Sequence, residues 1–272
     1  LRPFAQSIPM LAAANIPIEA QVSIERLLRL GCRNLSGMVR NYIHRLESFE
    51  GDDIPVHFHR RFTFLRLRFN EVLHQFDIFR DVLSQRSEHD TGVWIAGLDD
   101  LAADALILPG KYYKPPPVIC YLDKGLGASI RRVHTRLPGG EANPVAVIKV
   151  PLERMIGSGI ASSLVHEVGH QSSALLGLIP SLTPVLRSKK GGMHRNVNSI
   201  WARWISEILA DFWSVARIGV GSTLGLMSVV SLPKVFVFNV NLDDPHPSPW
   251  IRVKLSAAIG NALFPDPQWN SI

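Results

Sequence analysis

The sequence predicts an α+β protein in two parts: a helical N-terminal region over 1–110, built on a heptad-patterned hairpin with a third helix, and a second part over 111–272 with a small sheet and long helices. Three observations predict this. Apolar residues follow a heptad spacing in the first third, two short β-branched runs follow a cluster of prolines, and a His-Glu-x-x-His segment lies on a helical pattern. With 46% hydrophobic and 19% charged residues, the chain is too apolar for a disordered protein, and 272 residues suffice for one large domain or two small ones.

The hairpin comes first. Phe58, Phe62, Leu65, Phe69, Val72, Phe76, Phe79 and Leu83 recur at alternating four- and three-residue steps, and Leu28, Cys32, Leu35, Val39, Tyr42, Leu46 and Phe49 form a matching series before them. Two antiparallel helices are expected to zip together across a short polar connection from Glu50 to Pro55. The stripe is read as internal core, with an interface for a protein partner or a second copy as the other use. A third helix is expected over 97–108, ended by Pro109, Gly110 and the Pro115-Pro116-Pro117 run.

From Pro117 onward, Val118 to Leu122 and Val145 to Val150 read as strands between Gly- and Pro-rich turns. Next comes a helix over 159–177, stopped by Gly177 and Pro180, and then a mobile loop centred on Lys189-Lys190-Gly191-Gly192. Asn196 to Arg217 is again helical, with Trp201, Trp204, Ile208 and Phe212 on one face. The stretch from Ile218 to Val237 is the most membrane-like, but Pro233 and Lys234 leave roughly 16 uncharged residues where a span needs about 20. It is expected to be a buried helix, so membrane association is not expected.

The charge balance is +6, yet the basic residues are scattered and no nucleic-acid motif accompanies the densest group, Arg60, Arg61, Arg66 and Arg68. No nucleic-acid partner is expected. Cys32 and Cys120 are the only cysteines and lie far apart, which excludes a disulfide framework. The apolar run from Met10 to Ala14 lacks the basic lead of a signal peptide. A chain beginning at Leu1 reads as trimmed from something longer, and cytoplasmic location is the default.

The chemistry concentrates at His166-Glu167-Val168-Gly169-His170. Histidines four apart on a helix are rotated by about 400°, so both imidazoles leave one side, about 6 Å apart along the axis. One metal ion can take both, and zinc suits neutral imidazole nitrogen. Glu167, directly after the first histidine, can reach a water on the open zinc position as general base. The motif arises by chance in about one random chain of this composition in a hundred. A hydrolytic zinc needs a third protein ligand. The metzincin spacing requires His at position 176, where Leu176 stands. Glu207 is the leading candidate and His194 the other. Asp211, four residues after Glu207, shares its helix face and is placed to hold the far nitrogen of a ligand histidine.

His166-Glu167-x-x-His170 followed by Glu207-x-x-x-Asp211 is similar to the gluzincins, the thermolysin-like zinc peptidases. The resemblance implies a zincin-like catalytic domain, Zn2+ held by His166, His170 and Glu207, Glu167 as catalytic base, Asp211 behind the ligands, and a peptide or protein as substrate. It rests on two short motifs in the second part of the chain. The step from His170 to Glu207 is 37 residues, longer than in thermolysin, and the Gly-Ala-Met-Glu-Asn motif of the gluzincin aminopeptidases is absent.

An oxyanion formed in such a site needs a donor. His246, in the proline-stiffened Asp243-Asp244-Pro245-His246-Pro247 segment, is the candidate, oriented by Asp243 or Asp244. Arg252 is expected to share that work or to pair with Asp211. The strand Val145 to Val150 is either an edge open to an extended peptide or an interior strand. Tyr112, Tyr113 and Tyr121 are candidates to line the cleft. The competing reading is a binding or scaffold protein with a structural or latent zinc site, working through its N-terminal helices.

Overall fold

A computed structural model describes residues 16–51, 55–87, 89–125, 127–152, 159–188, 195–241 and 243–272. The described chain is mostly helical with a small three-stranded sheet, an α+β architecture. It divides into two compact units, Leu1–Ala96 with Val133–Ala146, and Gly97–Arg132 with Val147–Ile272. The division therefore falls elsewhere than at 110, the boundary expected from the prolines. His194, the loop centre Lys189-Lys190-Gly191-Gly192 and the Met10 to Ala14 run lie outside the described residues.

In the first unit, α1 (Ile18–Glu47) and α2 (Val56–Ser84) pack as the expected hairpin. Ala20, Ile24, Leu27 and Leu28 of α1 are buried, as are Val72, Phe79, Val82 and Leu83 of α2. Near the connection the aromatic rings take over. Tyr42 stands with its ring 6.2 Å from those of Phe58 and Phe62, and Phe49 stands 5.5 Å from Phe58. The stripe is internal only in part, because Phe62 and Phe69 are 51% and 45% exposed. Two helices cover only one face of each other.

Residues 133–146 join this unit through polar contacts that periodicity cannot register. The buried Gln75 donates through Nε2 to the carbonyl of Pro138 at 2.6 Å and to Glu141 at 3.0 Å, while Arg68 donates to the carbonyl of Gly139 at 3.0 Å. Gly139, at φ +93, makes the turn that presents those carbonyls.

The third helix, α3, runs over His89–Leu106, well before the expected start at Gly97. A single helical glycine costs only about 1 kcal/mol, and the buried Ile95, Leu98, Ala102 and Ala105 carry the apolar stripe across it.

In the second unit, β1 (Val118–Asp123), β2 (Ser129–Arg131) and β3 (Ala146–Pro151) form a sheet of order β1-β3-β2. The strand anticipated over 145–150 is thus central and offers no edge. Its neighbour β2, unanticipated because it is three residues long, is antiparallel to it with Ile130 opposite Ile148, and forms the sheet edge on that side.

The rest of this unit is helical. Helix α4 (Gly159–Leu175) is followed by Gly177, whose φ of +63 supplies the left-handed stop. The chain then continues as α5 (Leu178–Ser188), where a loop was anticipated. Pro180 falls in the first turn, where no N–H is needed, and Pro184 removes only one internal bond.

The longest helix here is α6 (Arg195–Ile218), close to the expected span. Beyond it lie α7 (Val220–Val230), α8 (Lys234–Val237) and α9 (Pro249–Leu263). Gly219, at φ +57, breaks α6 from α7. The single buried helix expected over 218–237 is therefore two short ones, with Ser222, Thr223, Gly225 and Leu226 buried but Val235 and Phe236 exposed. Among the described residues no helix is long and apolar enough to cross a membrane.

Helix α4 packs chiefly on α6 and α7, and β2 lies against it. Two hydrogen bonds fix the frame: Trp213 of α6 donates to the carbonyl of Ala105 at 3.0 Å, and the amide of Cys120 in β1 donates to the buried Asp99 of α3 at 2.6 Å.

Candidate metal centre

The site forms where α4 and α6 face each other. Of the expected apolar face of α6, Trp204 is buried, Trp201 and Ile208 are half-buried and Phe212 is exposed, while the polar Glu207, Asp211 and Ser214 are buried as well. That polar stripe turns inward because it meets the two histidines of α4.

His166 and His170 lie one turn apart with ring centroids 4.9 Å apart. Each uses Nδ1 for a partner on α6 and leaves Nε2 for the centre. His166 Nδ1 is 2.8 Å from Asp211 Oδ1, and His170 Nδ1 is 3.2 Å from Ser206 Oγ. His166 Nε2 then stands 3.3 Å from Glu207 Oε2, and His170 Nε2 stands 3.4 Å from Glu207 Oε1. Ligand atoms of these three residues all lie within 4.8 Å of one another.

Arg252 of α9 takes the second part expected for it. Its guanidinium holds Asp211 in a forked pair, Nε to Oδ2 at 2.9 Å and Nη2 to Oδ1 at 2.7 Å. His246 reaches the same centre from the proline-rich segment before α9, with Nε2 3.5 Å from Glu207 Oε2. Asp244 orients it, its Oδ1 lying 2.9 Å from the His246 amide and 2.8 Å from its Nδ1. Trp204 of α6 anchors that segment by donating to the Asp244 carbonyl at 3.1 Å. Asp243, the other candidate to orient His246, instead faces Arg203 at 3.5 Å.

These groups, with Glu167, line a pocket of about 200 Å³ whose walls include Gly127 and Ala128 just before β2, Ser162, Ser222 and Leu226. Tyr112, Tyr113 and Tyr121 do not line it. Tyr113 is spent elsewhere, donating to the Leu106 carbonyl, and Tyr112 is exposed to solvent.

Burial sets the electrostatics. Desolvation pulls the His166 pKa down, but the bond to Asp211 and the contact with Glu207 outweigh it and raise it to about 9. His170, desolvated and beside His166, falls to about 4. Burial works to raise Asp211, yet His166 and Arg252 together hold it at about 2. Glu207 is likewise lowered, its contacts with His166 and His170 overcoming burial. Glu167 goes the other way: burial raises its pKa, and the charge on Glu207 adds to the rise.

The donor set fits zinc. Two imidazoles present Nε2 toward one carboxylate, both rings are fixed through Nδ1, and room remains for a further ligand. Ser206 was not anticipated. It directly precedes Glu207 but belongs to no spacing rule, and a serine in a helix gives no signal of its own.

No protein-family model, curated protein or solved structure matches this chain.

Proposed function

We propose that the chain is a zinc-dependent peptidase whose second unit is zincin-like, with His166, His170 and Glu207 as metal ligands. The observation that carries this reading is the position of Glu207, one oxygen toward each histidine Nε2, while Asp211 and Ser206 hold the opposite ring nitrogens. A site that served only to staple helices together would have no use for Glu167, which is buried in the same pocket.

Zinc bound there supplies a Lewis acid that polarises the scissile carbonyl and acidifies water. Glu167 takes a proton from the attacking water as its oxygen adds to the carbonyl carbon. It returns that proton to the amine nitrogen as the C–N bond breaks. A carboxyl whose pKa is raised by burial is suited to both halves of that transfer. His246, with Nδ1 held by Asp244, presents Nε2–H to the oxyanion when the ring is protonated. Arg252 stays with Asp211 and keeps His166 in register. An extended substrate has a place to lie along the β2 edge, whose approach through Gly127 and Ala128 borders the pocket.

The test is metal analysis of the purified protein together with digestion of a peptide pool by the wild type and by Glu167→Gln. Stoichiometric zinc and cleavage lost in the variant are expected. Cleavage that survives the substitution, or zinc bound without cleavage of any peptide, sinks the reading.

A further inference from the structure

The hairpin carries a feature that the metal site does not use. On one flank of α1 and α2 lies a groove of about 800 Å³. Met38 and Tyr42 from α1 and Phe64 and Leu65 from α2 give it an apolar floor beside Asn34 and Asn41, and Phe64 is 56% exposed. A Cβ placed on Gly37 would meet nothing within 4 Å, so the α1 backbone itself is open to the groove. Arg33, Arg60 and Arg61 stand around this floor. The guanidinium groups of these three have no ion pair or hydrogen bond to another described residue, although those of Arg29 and Arg68 nearby along the same helices do.

We propose that this groove is a docking site for an acidic amphipathic helix of a partner protein. The chemistry asks for an occupant with two faces. One must be apolar, to cover Phe64, Leu65 and Met38, and the other must carry carboxylates, to meet three guanidinium groups that are unpaired among the described residues. The groove is concave and runs along α1 from Arg33 to Tyr42, about 14 Å of helix, so it suits a rod better than a flat lipid surface. A helix laid there would extend the two-helix hairpin to a three-helix bundle, the usual way such a pair completes its core. A second copy of the same hairpin is disfavoured, because it would set arginine against arginine across the contact.

The experiment uses the full chain and a designed peptide of about three heptads with Leu at the a and d positions and Glu at e and g. Its counterpart with Lys in place of Glu is the control. Fluorescence anisotropy is expected to show the acidic peptide binding and the basic one not. The triple variant Arg33→Glu, Arg60→Glu, Arg61→Glu should weaken the acidic peptide by about tenfold or more and admit the basic one. Phe64→Ser should weaken the acidic peptide while leaving the circular dichroism unchanged. Equal binding of both peptides, binding of neither, or indifference to charge reversal overturns the proposal. A solution dimer dispersed by Phe64→Ser would assign the groove to a second copy instead. Adhesion to phosphatidylglycerol vesicles without peptide binding would assign it to a membrane, and either outcome also overturns the proposal.

Discussion

Gly169 of α4 lies directly against Ala210 of α6. A Cβ on Gly169 would stand 2.7 Å from the Ala210 Cα and 2.9 Å from both the Ala210 carbonyl oxygen and the Trp213 Cβ. Those are largely backbone atoms, which cannot step aside. Gly169→Ala should therefore push α4 off α6, destabilising the protein by about 1–3 kcal/mol and separating the histidines from Glu207. Denaturant melts and zinc titration of the variant check this. Unchanged stability with unchanged zinc affinity would remove the argument that this contact positions the site.

Ser206 and His246 should separate by readout. Ser206→Ala removes the partner of His170 Nδ1, so zinc affinity should fall by about 10- to 100-fold. His246 is half exposed and outside the ligand set, so His246→Ala should keep its zinc. Its kcat should instead fall by about 10²-fold or more, as for loss of one oxyanion donor. Competition with a chelator and steady-state kinetics distinguish the two, and a reversed pattern would exchange their roles.

Zinc loading should release protons. At pH 7 the metal-free His166, at about 9, carries a proton that it must surrender to bind, whereas His170, at about 4, is already neutral. About one proton per zinc is therefore expected from the histidine pair. Calorimetry in buffers of different ionisation enthalpy measures the number. A value near zero would mean that His166 is already neutral before binding.

The metal-free protein should lose stability at both ends of the pH scale. Asp211 is lowered from 3.8 to about 2, so its contribution is complete above pH 3.8 and lost as the pH falls through 2. His166 is raised from 6.5 to about 9, so its contribution is complete below pH 6.5 and lost as the pH rises through 9. Melting temperature measured with chelator present should fall toward both limits, and His170, lowered from 6.5 to about 4, should already cost stability as the pH falls from 6.5 through 4. Asp211→Asn should flatten both arms and leave Arg252 buried without its anion, a loss of about 3–5 kcal/mol.

Much of the site could be read from spacing, because four-residue steps on a helix are a local property. His166 with His170 and Glu207 with Asp211 each share a face whatever the rest of the chain does. That reasoning reached as far as the helices. It misplaced Phe212, which is exposed, where an apolar count alone set the inward face of α6, because the wall of this pocket is polar and buried at once. It also missed Ser206, whose role exists only once α4 lies beside it.

The sequence by itself determined the helical hairpin, the strand segments around 118–123 and 146–151, and the two motif-bearing helices, since periodicity and turn chemistry act within a few residues. Tertiary structure alone decided the rest. Strand order put β3 in the middle and gave the edge to three residues too short to read. Gln75 and Arg68 drew 133–146 back to the first unit through bonds to carbonyls. The contact of Gly169 with Ala210 brought together two helix faces whose motifs are 37 residues apart, and no local rule fixes an approach that depends on a missing Cβ.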